Sequence, residues 1–592
     1  MNVRSTEIMC GIVGIIQKQK FSVKNKLLKA LKRLEYRGYD SVGFATKQGT
    51  VKKQIGSISN FLETLEKDYE TTVGIAHTRW ATHGGVTQLN AHPHFNNDAE
   101  LFVCHNGIIE NYQEIKAALQ KKGVVFLSQT DSEIIPHYLE EQLKAGKEMK
   151  DAILALMKDI KGTYAILLFE KNKETLYALK KDSPLALGIR KDGFTLGSDI
   201  YAFSDETQQA IFFEDNEFAI LTPDQYKFYN KEGKEIEKNA QTFEWTTEEE
   251  EKTEFEHYMI KEIKEQPAVA RRLLNSFTTT QKAQLEKFIL LLKEYKKLVF
   301  IASGTSYHAA LIGCILLNRL GYNARANIAS EIETFVHFDK ETCLIAISQS
   351  GETMDVIIPL KNAKAAGAKI LSIVNVPYST IQRLSDISLE VLAGQEVCVA
   401  STKAYTNQVI TLLKLAHELG NNSMELDKIP ERIEQTIDHN EEIIKNLAEK
   451  MKDKKDIFVL GKAISYPMAR EIALKLKEIS YIHAEGMMAG ELKHGTIALI
   501  EEGTPVIALI PNKNPEMLSS TKEVEARGAA IIAITNQPLE SQYIEILLPK
   551  SDDAEFAIYS CIIGHLLSYY IAKLNGLEID RPRNLAKCVS VP

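Results

Sequence analysis

Two rhythms of apolar residues divide this chain. From Cys10 to about Phe243 they alternate with polar residues over short stretches, as in ELFVCHNG from Glu100 and YAILLFE from Tyr164, the period of strands with distinct faces. Only a few helical stretches occur there, NYQEIKAALQKKG and DSEIIPHYLEEQLKAG being the clearest, so an α+β domain is expected. After about residue 268 the rhythm becomes apolar strand, Gly/Ser-rich turn and long helix, as in parallel α/β units. This second pattern repeats: LVFIASGTSYHAA at Leu298 aligns with IFVLGKAISYPMA at Ile457, 159 residues on, and TCLIAISQSGE at Thr342 with TPVIALIPNKN at Thr504, 162 residues on. A duplicated α/β domain is expected. Between the two patterns lies EWTTEEEEKTEFEHYMIKEIKEQP, whose four consecutive glutamates and closing Pro267 read as a solvated linker over 244–267. The expected divisions are a leader at 1–9, a first domain at 10–243, the linker, α/β domains at 268–430 and 431–580, and a tail at 581–592.

Composition narrows the class. With 592 residues, 44% hydrophobic and 25% charged, the chain can fill several ordinary globular cores. A net charge of -8 leaves no field to draw the whole molecule to nucleic acid or anionic lipid, although a local pocket could still hold a phosphate. Neither nucleic acid nor membrane is expected as a partner. Seven cysteines, at 10, 104, 314, 343, 398, 561 and 588, form no CxxC pair, which argues against a disulfide framework or a zinc site and for a reducing, cytoplasmic setting. The N-terminus is no signal peptide, since Glu7 interrupts it and QKQK follows its short apolar run. The apolar stretch FAIYSCIIGHLLSYYIA carries Ser560, His565 and Ser568 and reads as a buried helix rather than a membrane span.

Cys10 opens the strand CGIVGII. A thiol attacks well only after losing its proton, and an α-amino group, with a pKa of about 7.7 to 8.0, is a suitable base. A cysteine that is itself the first residue therefore carries its own base; behind nine others, its nitrogen is an amide. A small buried cysteine at a strand start is the other reading of this stretch. Further on, Arg79 in GIAHTRWATHG offers a fork for a carboxylate, and Asn106 and Gly107 in CHNGIIEN offer two donors for an oxyanion. Asp131 in SQTDSE could cap a helix or bind an ammonium group.

Together CGIVG, EYRGYDS, AHTRWATHG, NAHPH, HNGIIEN and TDSE resemble the class II, N-terminal-nucleophile glutamine amidotransferase domain. The resemblance implies an αββα sandwich, with Cys10 as the nucleophile forming a glutamyl thioester and Asn106 and Gly107 as oxyanion donors. It implies that Arg79 and Asp131 hold the α-carboxylate and α-amine of glutamine, with Thr82, His83 and Gly38 lining the site and Trp80 gating an ammonia passage. His77, His83, His92, His94 and His105 crowd one window, but their spacing fits no standard zinc pattern and a glutaminase needs no Lewis acid, so no metal is expected.

In the second half, Ser348, Gln349, Ser350, Gly351 and Thr353 form a hydroxyl-rich turn between strand and helix, which reads as an anion site or as mere capping. Ser303, Gly304, Thr305 and Ser306 make a second such turn, and Val399 and Ser401 lie in a third. No GxGxxG or P-loop follows a strand, so no nucleotide is indicated. The second copy lacks these turns but contains EIALKLKEISYIHAEGMMAGELKHG, where Glu471, Lys475 and Glu478 share one helix face and Lys493 and His494 follow. That face fits exposed ion pairing as well as catalysis.

With HYMIKEIKEQP, SQSGET, ASTKAYT, ALKLKEISYIHAE, GELKHG and the tail DRPRNLAKCVSVP, nearly the whole chain resembles the glutamine:fructose-6-phosphate aminotransferase (isomerising) family. The resemblance implies two sugar-isomerase (SIS) domains, each a doubly wound parallel sheet. Ser348, Gln349, Ser350 and Thr353 would bind the sugar phosphate, with Thr305 and Ser306 nearby and Ser303, Gly304, Val399, Ser401 and Ala586 around the sugar. Lys587 would form a Schiff base, Glu478 would move a proton between C1 and C2, and Lys475 would steady the enolic oxygen. His494, from a neighbouring subunit, would open the ring. The implied partners are glutamine, fructose 6-phosphate and a second copy sharing the isomerase site; no cofactor is implied, and the product, glucosamine 6-phosphate, opens amino-sugar synthesis. Members usually begin at the catalytic cysteine, so residues 1–9 are expected to be a mis-assigned start at Met9 or a segment that is cut off. Cys588 and Ser303 also depart from the usual pattern, and the chain ends at Pro592. Other amidotransferases of this class would need an ATP-splitting loop such as SGGxDS or a phosphoribosyl site, and neither is present. A sugar-phosphate sensor would not need Glu478, Lys587 or His494.

Overall fold

The computed structural model describes residues 10–80, 84–242, 254–420 and 424–588. These form two compact units, one of the described residues within 10–242 together with Cys588, the other of those within 254–587.

Strict alternation builds the first unit from two antiparallel sheets. The eight-stranded sheet centres on Gly11–Ser22, which pairs with Glu70–Arg79 on one side and Gly193–Gly197 on the other. The seven-stranded sheet centres on Leu176–Lys181, Gly162–Glu170 and Leu101–Ile109. Along Leu101–Ile109, Phe102 and Cys104 enter the core between the sheets with Ile12, Ile16 and Ile75, whereas Val103 and Ile109 pack on the other face against Ile134, Leu139 and Ile153. Period-two side chains thus serve both faces. Helices Tyr112–Gln120 and Ile134–Lys144 form as expected, and Met149–Asp159 adds a third on that face. Helical segments Val23–Leu28 and Lys29–Lys32 lie against Gly11–Ser22 and Glu70–Arg79 of the eight-stranded sheet, so the layers are helix, sheet, sheet and helix.

The second unit holds two five-stranded parallel sheets. In the first, the order is Ala324–Ile328, Lys297–Ala302, Thr342–Ser348, Lys369–Val374, Ile387–Glu390; in the second, His483–Met488, Asp456–Gly461, Pro505–Ile510, Ala530–Thr535, Ile544–Leu547. Both run 2-1-3-4-5 in their own chain order, a doubly wound arrangement that opens a crevice at the carboxyl ends of strands one and three. One continuous core joins the copies, drawing Phe300, Ile345, Val459 and Ile507 together with residues of seven α-helices. Asp553–Leu574 is long and apolar enough to cross a membrane, yet 83% of its most apolar window is buried inside the unit. It is a core helix.

The linker expectation needs correction over 258–267. Tyr258–Ser276 is a 19-residue helix that carries Pro267 internally and buries Met259, Ile260, Ile263, Val269, Ala270 and Leu273. Its apolar stripe is interleaved with lysines and glutamates, so charge masked helical spacing. Residues 243–253 lie outside the described residues. The expected boundary at 430 falls in the first turn of Ile429–Met451, and the tail over 581–588 runs without regular structure, anchored where the Arg583 N–H donates to the Tyr481 hydroxyl at 2.8 Å.

Four histidines knit the first unit together. His77 stacks on His92 at 4.1 Å, and His92 meets His94 edge-on at 4.5 Å. His94 Nε2 lies 3.0 Å from Thr130 Oγ1, His77 Nε2 lies 3.1 Å from the His105 carbonyl, and His105 Nδ1 lies 2.8 Å from Ser132 Oγ. Among the described residues no three His, Cys, Asp or Glu side chains are grouped to hold a metal ion. Burial, reinforced by neighbouring Arg79, holds His77 down to about 3 and His92 and His94 well below the ordinary range. These rings are neutral in the fold, but the unfolded chain takes up protons on them below about pH 6.5. Stability present above that value is therefore lost as pH falls towards 3, by about 2 kcal/mol at pH 5 for His77, with His92 and His94 acting in the same direction. Thermal unfolding of the first unit should fall steeply between pH 7.5 and 5; a midpoint independent of pH across that window would contradict the neutral stack.

Candidate active sites

Cys10 enters the central strand beside the end of Glu70–Arg79, since Gly11 registers with Thr78. The Trp80 N–H donates to Cys10 Sγ at 3.2 Å, and the thiol can donate to the Trp80 carbonyl at 3.6 Å. The Asn106 side-chain amide donates to the Cys10 carbonyl at 2.7 Å, while its Oδ1 is buried with no partner among the described residues. Gly107 has φ +124, and a side chain there would strike the Thr163 carbonyl at 2.2 Å, which only glycine avoids. Gly38 packs equally close, because an added Cβ would lie 2.9 Å from the Arg79 carbonyl carbon and the Trp80 nitrogen.

Arg79 is almost wholly buried and donates to the carbonyls of Gly85 at 3.3 Å and Gly84 at 3.4 Å. Burial pulls its guanidinium down, opposed by the charges of Cys10, Asp40 and Asp131. Asp131 does not cap the following helix, whose N-cap is Glu133; its Oδ2 instead accepts the Ile109 N–H at 2.7 Å, two residues beyond Gly107. Trp80 stands edge-on to Tyr39 at 5.2 Å. The first site thus gathers Cys10, Gly38, Arg79, Trp80, Asn106, Gly107 and Asp131. Thr82 and His83 lie outside the described residues.

The second unit places its hydroxyl turns where parallel strands meet helix N-termini. Ser348 ends its strand, accepts the Gly351 N–H at 3.0 Å and lies 3.4 Å from Thr353 Oγ1. Thr353 precedes Met354–Ala365 without making a side-chain cap, and Ser350 Oγ accepts the Glu352 N–H at 3.2 Å. Gln349 lies in the same turn, its carbonyl accepting the Val376 N–H at 3.2 Å. Gly351, at φ +66, lies against Ser379, whose Oγ would be 2.0 Å from an added Cβ. Ser303 is the uncapping N-cap of Gly304–Arg319, and its buried Oγ has no partner among the described residues. Backbone N–H groups and hydroxyls at such helix starts suit an anion.

Thr305 joins this turn to the second copy. It donates to Glu471 Oε1 at 3.1 Å and accepts from Lys475 Nζ at 3.0 Å. His308, one turn on, donates Nδ1–H to Glu471 Oε2 at 2.6 Å, and Ser306 accepts from Gln408 at 3.0 Å. Lys475 is fully buried, lies 3.4 Å from Glu471 and pairs with Glu478. The shared face is thus buried rather than exposed ion pairing. Burial opposes the charge on Lys475, but Glu478 and Glu471 outweigh it and hold the ammonium above the ordinary lysine range. Burial likewise pushes Glu471 up, and Lys475 and His308 reverse it to about 2. The helix Ser465–Lys475 then widens into Leu476–Ser480, with Tyr481 in the left-handed region at φ 56, a local irregularity common at functional sites.

The tail reaches the same unit. Lys587 Nζ pairs with Glu396 and donates to the Cys398 carbonyl at 2.8 Å, while Ser401 Oγ donates to Glu396 Oε2 at 2.8 Å and the Val399 N–H to the Asp580 carbonyl at 3.0 Å. Ala586 is half-buried beside Lys587. His494, on the turn Leu492–His494, is exposed and is not brought to Glu478 or Lys475 within this chain. Sequence reasoning passed over Glu396, Glu262 and His308. The available signal was a lone acid in the otherwise uncharged run LAGQEVCVAS, since a buried charge needs a partner.

Comparison with known proteins gives each unit a family. The family described as glutamine amidotransferase domain matches residues 77–205, and that described as SIS domain matches 291–418 and 450–570. The glutamine--fructose-6-phosphate aminotransferases [isomerizing] of Thermococcus kodakarensis and Aquifex aeolicus are each 41% identical over 98% of this chain and 100% of their own length. The C-terminal domain of glucosamine-fructose-6-phosphate aminotransferase from Francisella tularensis superposes with TM-score 0.51 at 32% identity, covering 56% of this chain and all of that one. Tagatose-6-phosphate ketose/aldose isomerase from Escherichia coli shares the fold, with TM-score 0.50 at 18% identity over 55% of this chain and 95% of that one. The chain belongs to the glutamine--fructose-6-phosphate aminotransferase [isomerizing] family.

Proposed function

We propose that this chain converts glutamine and fructose 6-phosphate into glutamate and glucosamine 6-phosphate, the opening step of amino-sugar synthesis. The observation that carries the reading is the bonding of Lys475 to Thr305 in a hydroxyl-lined turn while it pairs with Glu478. A sugar held at that turn meets a fixed positive charge and a carboxylate together.

Cys10 Sγ attacks the glutamine amide, with Arg79 and Asp131 holding the α-carboxylate and α-amine and Asn106 and Gly107 receiving the oxyanion. Thr82, His83, Gly38 and Trp80 complete this site. The thioester then takes up water to give glutamate. The α-nitrogen of Cys10 is the base once it is the first residue. Ammonia reaches the sugar through a dry passage, because its protonated form is no nucleophile. Ser348, Gln349, Ser350 and Thr353 hold the sugar phosphate, and Ser303, Gly304, Thr305, Ser306, Val399, Ser401 and Ala586 surround the sugar. Lys587 forms an imine with the ketone carbon C2, ammonia adds there and displaces the lysine amine, Glu478 carries the proton between C1 and C2, and Lys475 stabilises the enolic oxygen. A second copy supplies His494 for ring opening, in keeping with its exposure here. The reaction belongs in the cytoplasm, as the cysteine usage supports, and no metal or organic cofactor takes part.

Cys10→Ala should lower glutamate release from glutamine by at least about a thousandfold; release at the parental rate would rule out Cys10 as nucleophile. Lys587→Ala should lower glucosamine 6-phosphate formation by at least about a thousandfold, and a variant as active as the parent refutes the isomerase assignment. Gly351→Ala forces a side chain onto Ser379 at positive φ, a strain of about 1–3 kcal/mol. Its KM for fructose 6-phosphate should rise about tenfold or more, with kcat less affected; an unchanged KM would remove the turn from the phosphate site.

A further inference from the structure

The mechanism leaves unused a buried charged cluster in the second unit. Glu396 is almost fully buried, and both its oxygens are engaged. Oε1 accepts the N–H groups of Thr402 at 2.8 Å and Ala404 at 3.1 Å, at the start of Lys403–Glu418. Oε2 takes the Ser401 hydroxyl at 2.8 Å and pairs with Lys587. One carboxylate oxygen therefore touches both the tail amine and a hydroxyl of the sugar site.

The surrounding groups leave Lys587 as the cation that balances Glu396. From Tyr258–Ser276, Glu265 pairs with the other buried lysine of the cluster, Lys403, at 2.7 Å. From the same helix, Glu262 Oε1 accepts the N–H groups of Val397 at 2.5 Å and Cys398 at 3.2 Å, while its Oε2 is buried with no partner among the described residues. Glu262 thereby fixes the peptides next to the Cys398 carbonyl, the second acceptor of Lys587 at 2.8 Å. Asp580 and the Cys398 thiol are the other titratable groups nearby. Burial pushes both glutamates up. Lys587 reverses this for Glu396, to about 2, whereas the charge of Glu396 drives Glu262 further above the carboxylate range. Two neighbouring carboxyls pushed in opposite directions are the pattern of an acid–base position.

We infer that Glu396 is the proton acceptor for Lys587 in imine formation, with Glu262 positioning the loop that holds the pair. This rests on the proposed imine at Lys587. One proton moves from Nζ to Glu396 Oε2, and the freed lone pair bonds to the ketone carbon while the carbonyl π electrons move to oxygen. That oxygen takes one proton from the attacking nitrogen and the other back from Glu396 and leaves as water, the nitrogen lone pair closing the C=N bond. Lysine ammonium plus ketone thus becomes iminium plus water, and Glu396 ends as the carboxylate it began as. No outside base is needed.

The test uses the full chain with saturating fructose 6-phosphate and borohydride, which reduces an imine to a stable amine located by peptide mass spectrometry. The parent should carry the reduced sugar phosphate on Lys587. Glu396→Gln keeps the acceptor for Thr402 and Ala404 but not the charge, so its trapping rate should fall about a hundredfold, with KM for fructose 6-phosphate within about threefold of the parent. Glu396→Asp restores a carboxylate and should recover part of that rate. Trapping by Glu396→Gln at the parental rate overturns the inference while leaving the imine intact, as does a loss confined to KM. A parent that traps nothing on Lys587 instead overturns the imine reading. If Glu396→Gln does not fold, Glu396→Asp decides: a parental rate overturns the inference, and an at least about tenfold slower one at unchanged KM supports it.

Discussion

A lysine ammonium removed from water persists only where carboxylates and hydrogen bonds replace its hydration. The second unit is built around that constraint twice. Lys475 is held by Glu471, Glu478 and Thr305, and Lys587 by Glu396 and the Cys398 carbonyl. The charges around Lys475 come from one helix and gain Thr305 from the other copy, whereas Lys587 meets Glu396 from 191 residues away, so both clusters are complete only when the two copies and the tail have folded together. Removing one partner would strand the other in a dry interior, which makes these clusters specify one arrangement of helices and loops.

Duplication explains how the site came to be asymmetric. Both copies present the same 2-1-3-4-5 sheet, and in the first copy the turns after strands one and three keep glycine and hydroxyls. In the second copy the equivalent turns hold Ala463 at φ 52 and Asn512 at φ 51, left-handed positions filled without glycine and without an array of hydroxyls. Freed from binding a phosphate, that copy contributes Glu471 and Lys475 from the helix after its first strand. In the proposed reaction one copy would provide the anion site and the other Lys475 and Glu478, with Thr305 bonded to both Glu471 and Lys475.

Much of this was legible in the chain itself. The change from period two to strand–turn–helix located both units, because side-chain period follows directly from backbone geometry. Cys10 at a strand start and the hydroxyls of Ser348, Ser350 and Thr353 were found because their chemistry is local. What could not be read was burial. Glu471, Lys475 and Glu478 on one helix face look the same whether water or Gly304–Arg319 lies against them, and Tyr258–Ser276 passed for a linker because its charges interrupt its apolar stripe. Glu396 was missed for a related reason: its partner Lys587 lies 191 residues away.

The central claim is that one chain takes nitrogen from the glutamine amide and places it on C2 of the sugar. Glutamine carrying nitrogen-15 in its amide group, supplied with fructose 6-phosphate in a buffer of unlabelled ammonium, tests it directly. The account predicts glucosamine 6-phosphate carrying the heavy isotope in proportion to the labelled glutamine consumed. Product bearing only unlabelled nitrogen, or glutamate formed with no aminated sugar at all, would contradict it.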